Sequence, residues 1–384
     1  MARICNVCGT EFGPPVFQSG ERFSLTTMNK LIEGETIVSY CATCDHTQTD
    51  ELPNLQEFYA TEYEINLETA DDDQLYDVVD GVEIYRSDHQ ADVLVSKIDL
   101  QQFPNVLDYG CAKAATLRKI RERVPGIKAH LFDVTEKYTD FWDDFPQPSD
   151  WAAHTPKAEW MGQIDVLLSF YALEHIPHLH AILDDVKGLL RDGGYFYFLV
   201  PNMFANTADF IVADHVNHFS RTSLETLLDR AGFDDIDIDE TAHAAAFVVK
   251  ARLDKSKATA TLSPAPVRGK DVVAIADFWG GIKARIAGFE SSLPAGAPVA
   301  IYGAGIYGNF IYSCLKSPEN VACFLDQNKF LIGSEVKGAP VLHPNDLPDG
   351  VQTVLVGLNP KFARRAIGDV AGLTGRDLTL FFLD

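Results

Sequence analysis

Twice along this chain a short apolar strand runs into a turn of small residues and then into a helix. The first unit is Val106-Leu107-Asp108, then Tyr109-Gly110-Cys111-Ala112-Lys113-Ala114-Ala115, then a helix from Thr116 to Val124. The second is Val299-Ala300-Ile301-Tyr302, then Gly303-Ala304-Gly305-Ile306-Tyr307-Gly308. Strands joined through helices return parallel, so such units build parallel sheets covered on both faces. Around the first unit, strands are predicted at Ala129–Asp133, Ile164–Phe170 and Tyr195–Val200, with helices at Ile182–Leu190 and Ser223–Ala231. A closing strand pair is predicted at Asp234–Glu240 and Ala244–Ala251. Around the second unit, strands are predicted at Val321–Leu325 and Val351–Val356. The fold class is therefore α/β. Residues 96–253 form a doubly wound central domain and 291–384 a smaller C-terminal Rossmann-like domain. Residues 254–290 read as a linker and a helix, and the acidic, Tyr-rich stretch 51–95 as a helical connector or lid.

Residues 1–50 carry a different signal. Cys5-x-x-Cys8 and Cys41-x-x-Cys44 are two matched knuckles, able to set four thiolates around one tetrahedral Zn2+. A single redox dithiol would not need both knuckles, and a reducing compartment argues against disulfides. With all four positions filled by protein, such a zinc is structural. Cys111, Cys314 and Cys323 lie in apolar contexts and read as buried thiols.

Charge and hydropathy exclude several partners. Asp plus Glu number 55 against 32 Lys plus Arg, a formal charge of −23. That field disfavours nucleic acid and anionic membrane as general partners. The longest strongly apolar runs, such as Tyr195–Val200, are far shorter than the ~20 residues of a membrane span. The opening Met-Ala-Arg-Ile-Cys lacks the apolar stretch of a secretory signal, so a cytoplasmic protein is expected.

The turn at Gly110 lets backbone approach a nucleotide-like ligand, with a helix N-terminus facing it. Asp133, some 20 residues on, is placed to accept ribose hydroxyls. His175 lies in Leu173-Glu174-His175-Ile176, and Asp214-His215-Val216-Asn217-His218 follows a later strand. Both loops open at the carboxyl ends of strands, where doubly wound folds bind ligands. His218 reads as a surface or packing histidine. Arg86 and His89 are placed either to meet an anionic group of a ligand or to form a salt bridge at a helix start.

These residues resemble the class I S-adenosylmethionine-dependent methyltransferases. The resemblance rests on Asp108-Tyr-Gly110-Cys111, the acidic strand end at Asp133, Ile164-Asp-Val-Leu-Leu-Ser-Phe170, Leu173-Glu-His-Ile176 and Leu190-Arg-Asp-Gly-Gly194. It implies S-adenosylmethionine as cofactor, held by Asp108, Gly110, Ala112, Asp133 and Phe170. Carboxylates at 108 and 133 suit a sulfonium donor better than a diphosphate. The family's Gly-x-Gly-x-Gly turn reads Gly110, Ala112, Ala114 here, which alanine tolerates if φ stays negative.

The order of zinc module, core and C-terminal Rossmann-like unit resembles a narrower group, the zinc-containing nucleotide-sugar C-methyltransferases of deoxysugar pathways. That resemblance implies a small-molecule acceptor, a nucleotide-linked keto sugar, deprotonated at the α-carbon before in-line methyl transfer. It also implies His215 as general base tuned by Asp214, His175 assisting, and Tyr63 over the site. The family's Tyr-x-Glu-His reads Val212, Asp214, His215 here. Other readings are O- or N-methylation of another sugar, glycan or metabolite, and a non-catalytic module of zinc and Rossmann-like units. Gly303, Gly305 and Gly308 with Asp326 also fit NAD, a weaker reading in so small a domain.

Overall fold

The computed structural model describes residues 3–21, 23–53, 73–79, 82–257, 267–368, 370 and 372–384. Its centre is a seven-stranded sheet. The strands, in spatial order, are Ser149–Ala153, Lys128–Asp133, Asn105–Tyr109, Ile164–Phe170, Leu190–Pro201, Ala246–Leu253 and Phe233–Asp239. The first five run parallel and the last two pair antiparallel to their neighbours. The order reverses beside Asn105–Tyr109, so the Gly110 turn and the loop after Phe170 open side by side. These central strands are buried on both faces, which is why they read as continuous apolar runs.

The C-terminal domain repeats the plan on a smaller scale. Ala339–Leu342, Val321–Leu325, Val299–Tyr302, Thr353–Val356 and Thr379–Phe382 lie in that order, all parallel, with Glu335–Val336 antiparallel at one edge. Helix Gly269–Ser292 joins the two domains. Its buried Val272, Trp279, Ile282 and Ile286 belong to one apolar core running from the cysteine module through the central sheet to Phe324 and Leu355. Polar contacts fix the junction: Trp279 Nε1 donates to the Thr207 carbonyl (2.8 Å), and the Ala208 N–H donates to the Tyr307 hydroxyl (3.1 Å).

The N-terminal strands Phe17–Gln18, Ile37–Cys41 and His46–Thr49 form a small antiparallel sheet. Its fourth strand, Asn217–His218, comes from the central domain. The expected helical connector is corrected in its described part: Leu75–Val79 and Val82–Tyr85 form a hairpin. Helix Arg86–Lys97 follows directly and packs Ala91 and Leu94 under the sheet, so the core begins near residue 86 rather than 96. Residues 54–72 lie outside the described part, and Tyr63 with them. Among the described residues no helix is long and apolar enough to cross a membrane.

Candidate functional site

The turn after strand Asn105–Tyr109 is built around three residues with positive φ. Gly110 has φ +80°, Ala112 +44° and Ala114 +57°. The expectation of negative φ at the alanines is thus corrected: both adopt the left-handed region, which costs an L-residue about 1 kcal/mol or more. Asp133 explains part of the shape. Its carboxylate accepts the Ala112 N–H at 3.0 Å and is buried behind the turn. Trp142 Nε1 donates to the Ala112 carbonyl at 2.7 Å.

Above this turn lies a cavity of about 380 Å³. Gly110, Ala112, Asp108 and Phe170 line it, as expected for a donor site, together with Arg86 and Gln90 from helix Arg86–Lys97. Asp133 is not part of the lining and acts through the turn's backbone. The Asp108 carboxyl is 2% exposed, and its Oδ1 has no hydrogen-bond partner. Burial and the charge of Asp133 push it up to about 8. Gln90 is equally buried, takes a hydrogen bond from Thr116 (2.7 Å), and leaves its Nε2 unpartnered. Such orphaned groups facing a cavity mark a place where a polar ligand belongs. Asn328 and Phe330 of the C-terminal domain close the opposite side, and Lys329 between them pairs with Glu83 of the hairpin at 3.0 Å. Arg86 also lies over the Tyr171 ring, 4.4 Å from its centroid. His89 does not line the cavity; its Nε2 bonds the Ala242 carbonyl (2.8 Å), and its ring stacks on Tyr76.

The loop after Phe170 lies against the same turn. A Cβ on Gly110 would sit 3.6 Å from the Ala172 methyl. Leu173–His175 then makes one 3-10 turn that carries Glu174 and His175. The His175 and His215 rings meet edge to face at 4.7 Å. Neither imidazole lines the cavity; Arg86, which does, is close enough to Glu174 for its charge to favour the carboxylate form.

One expected pairing is corrected. His215 Nδ1 bonds Asp209 Oδ1 at 2.6 Å, and the other oxygen of Asp209 takes His218 Nδ1 at 2.8 Å. Asp214 faces elsewhere: its carboxylate accepts the Thr27 N–H (2.8 Å) and hydroxyl (2.5 Å), and its carbonyl bonds His175 Nδ1 (2.9 Å). Asp214 therefore orients His175, and Asp209 holds His215. The Asp209 carboxylate raises His215 to about 9 against the opposing effect of burial. Burial lowers His175 to about 4 and raises Glu174 to about 8. His218 is a packing histidine, with Nε2 on the Thr49 hydroxyl (2.8 Å). Asp209 was not singled out from the sequence: it stands in Thr207–Ile211, where no motif marks it, and only the 3-10 turn there brings it under both imidazoles.

The four cysteines of the knuckles converge, all buried, with one sulfur each within 4.8 Å of the others. Cys5–Cys44 and Cys8–Cys41 sulfurs are each 3.5 Å apart. This suits a tetrahedral ion with bonds of about 2.3 Å, whose ligand edges are just under 4 Å. At the C-terminal turn Gly303 and Gly308 answer to packing. A Cβ on Gly308 would lie 1.8 Å from the Gly303 carbonyl oxygen, and one on Gly303 2.5 Å from that of Gly357. Asp326 accepts the Ala304 N–H at 2.9 Å, repeating the Asp133–Ala112 contact.

A family model described as a methyltransferase domain matches residues 82–238. That span carries the cavity turn, both loops and both imidazoles. Several solved structures are similar to part of the chain. Human N-acetylserotonin methyltransferase, determined with S-adenosylmethionine, is 16% identical with a TM-score of 0.38, covering 43% of this chain and 52% of its own. The N,N-8-amino-8-demethyl-D-riboflavin dimethyltransferase of Streptomyces davawensis is 19% identical with a TM-score of 0.37, over 42% and 53%. A Haloferax volcanii complex of the Trm112 activator and a methyltransferase gives 14% identity and a TM-score of 0.37, over 44% and 90%. The chain spans about half the length of the first two. No curated protein sequence matches it.

Proposed function

We propose that this protein transfers a methyl group from S-adenosylmethionine to a small oxygen-rich acceptor, in the first instance a nucleotide-linked keto sugar. The observation that carries the donor assignment is the cavity at Gly110, with a buried, unpartnered carboxyl at Asp108 facing the space where a cationic donor would lie. Arg86 and Gln90 stand ready for the donor's carboxylate, Phe170 for its apolar body, and Asp133 fixes the turn. The acceptor class is supported by the order of the three units and by the polar group behind the cavity.

When bound, S-adenosylmethionine supplies an electrophilic methyl on sulfur. The chain's own residues must position the acceptor and handle charge. In this reading the two imidazoles divide that work. His215, paired with Asp209, is held in its positive form at neutral pH and faces developing negative charge. His175, its Nδ1 on the Asp214 carbonyl, stays neutral and takes the proton. This reading differs from the expected one, in which His215 is the base, because the Asp209 carboxylate favours the positive form of His215. The four cysteines hold a structural zinc in this reading, since four buried sulfurs leave no position for a substrate.

A methyl-transfer assay over a panel of nucleotide sugars, with calorimetric titration of S-adenosylmethionine against NAD, tests the whole. Donor binding tighter than NAD and turnover of a keto sugar are expected; tighter NAD binding overturns the reading. His215→Ala should lower turnover at least about 100-fold with donor affinity nearly unchanged. Solvent deuterium should wash into the acceptor's α-carbon without donor, and absence of wash-in would favour O-methylation.

A further inference from the structure

Glu174 is the least comfortable residue of the acceptor region. It is 1% exposed, and its Oε2 has no hydrogen-bond partner. An unmatched carboxyl oxygen in a closed interior costs several kcal/mol unless something positive or donating meets it. What faces it is a pair of imidazoles. Each is fixed at Nδ1 by an acceptor: His215 by Asp209 at 2.6 Å, His175 by the Asp214 carbonyl at 2.9 Å. An imidazole that donates through Nδ1 carries its lone pair on Nε2, the arrangement in which protein histidines bind metals. Asp209 is itself braced by His218 at 2.8 Å, so the support extends one layer further. One ligand atom from each of Glu174, His175 and His215 lies within 4.8 Å of the other two. First-row divalent ions hold N and O ligands at about 2.0–2.2 Å, which sets ligands about 3–4.4 Å apart, a closure of a few tenths of an ångström here.

We infer that Glu174, His175 and His215 form a two-imidazole, one-carboxylate site for a divalent transition-metal ion, distinct from the four-cysteine cluster. Three protein ligands leave coordination positions open, unlike the closed set of sulfurs. The site stands behind Ala172, whose methyl packs against the donor turn. Taken with the methyl-transfer reading, on which this second step rests, the open positions suit an acceptor with two adjacent oxygens, such as a ketone beside a hydroxyl. With the ion bound, Nε2 of both rings is occupied, so the ion stabilises negative charge on the acceptor's oxygen and the acceptor's proton passes to a solvent base at an open position instead of to His175. Ion binding itself does not depend on the transfer reading.

The test is cobalt titration of the full-length protein after dialysis against chelator. Two Co2+ per chain are expected at saturation, one with strong thiolate-to-cobalt absorption and one with weak d–d bands alone. Glu174→Gln and His215→Ala should each weaken the second ion at least about 100-fold and keep the first. S-adenosylmethionine titration of the same variants reports on folding. A single ion per chain in the wild type overturns the inference, whether or not methyl transfer is found. So does a second ion that survives both substitutions.

Discussion

Ala112 and Ala114 show what a single φ angle does to a reading of residues. The spacing of small residues marked the turn, but the sign of φ was not legible, because alanine ordinarily avoids the left-handed region and the tertiary contact that enforces it lies at Asp133. The carboxylate there takes the Ala112 N–H and holds the strained turn in place. Ala112→Gly removes that strain and keeps the N–H. It should leave stability unchanged or raise it by up to about 1 kcal/mol in urea unfolding. A loss of about 1 kcal/mol, as for glycine in an ordinary helix, would contradict the geometry. His130 makes a second residue-scale case. It is 3% exposed, its Nδ1 is unpartnered, its ring meets Trp160 edge-on, and burial lowers it to about 4. The unfolded chain therefore binds this proton more readily than the fold does. Stability is full above pH ~6.5 and falls as pH drops toward 4. His130→Phe should shrink the stability difference between pH 7 and pH 4.5 by roughly 2 kcal/mol, read from urea unfolding at both values.

At the scale of elements, apolar strands flanking the turns were legible because burial on both faces leaves continuous runs of Val, Leu, Ile and Phe. Others were not, two of them telling. Ser149–Ala153 is an edge strand with one neighbour, and Ser-Asp-Trp-Ala-Ala carries no period to find. The hairpin Leu75–Tyr85 was masked by acidic, Tyr-rich composition, although Asp80-Gly81 between two apolar runs is a hairpin signal. The glycines of the C-terminal turn were legible as a turn but ambiguous in purpose. Packing separates them. Gly308→Ala drives a methyl into the Gly303 carbonyl, which is backbone and cannot swing aside, with Ile301 Cγ2 a further 3.2 Å contact. It should cost at least about 3 kcal/mol in thermal or urea unfolding. Gly305→Ala, at φ −84° with nothing within 4 Å of its Cβ, should be close to neutral. Equal losses in both would mean that the turn's glycines serve something other than this backbone contact.

For the whole molecule, the cysteine quartet was the plainest motif in the sequence, yet its place in the site was hidden. The link is a two-residue strand, Asn217–His218, far along the chain from the sheet it completes. Asn217 Oδ1 receives Asn6 Nδ2 (2.9 Å) and lies 3.2 Å from His46 Nε2. Its amide donates to the carbonyls of Leu173 (2.9 Å) and Ile176 (2.8 Å), which flank Glu174 and His175. Thr27 holds Asp214, and the Leu25 carbonyl takes the Ala213 N–H at 2.9 Å. The module thus backs the segments that carry Glu174, His175 and Asp214 and lines none of the Gly110 cavity. Cys41→Ser, which breaks the quartet, should therefore separate the two halves of the reaction. Methyl transfer should fall at least about 10-fold, while calorimetric affinity for S-adenosylmethionine stays within about 3-fold. Equal loss of donor binding would mean that the module supports the central domain as a whole; unchanged turnover would mean that its grip on Asn217 and Asp214 does not set the geometry of the imidazoles.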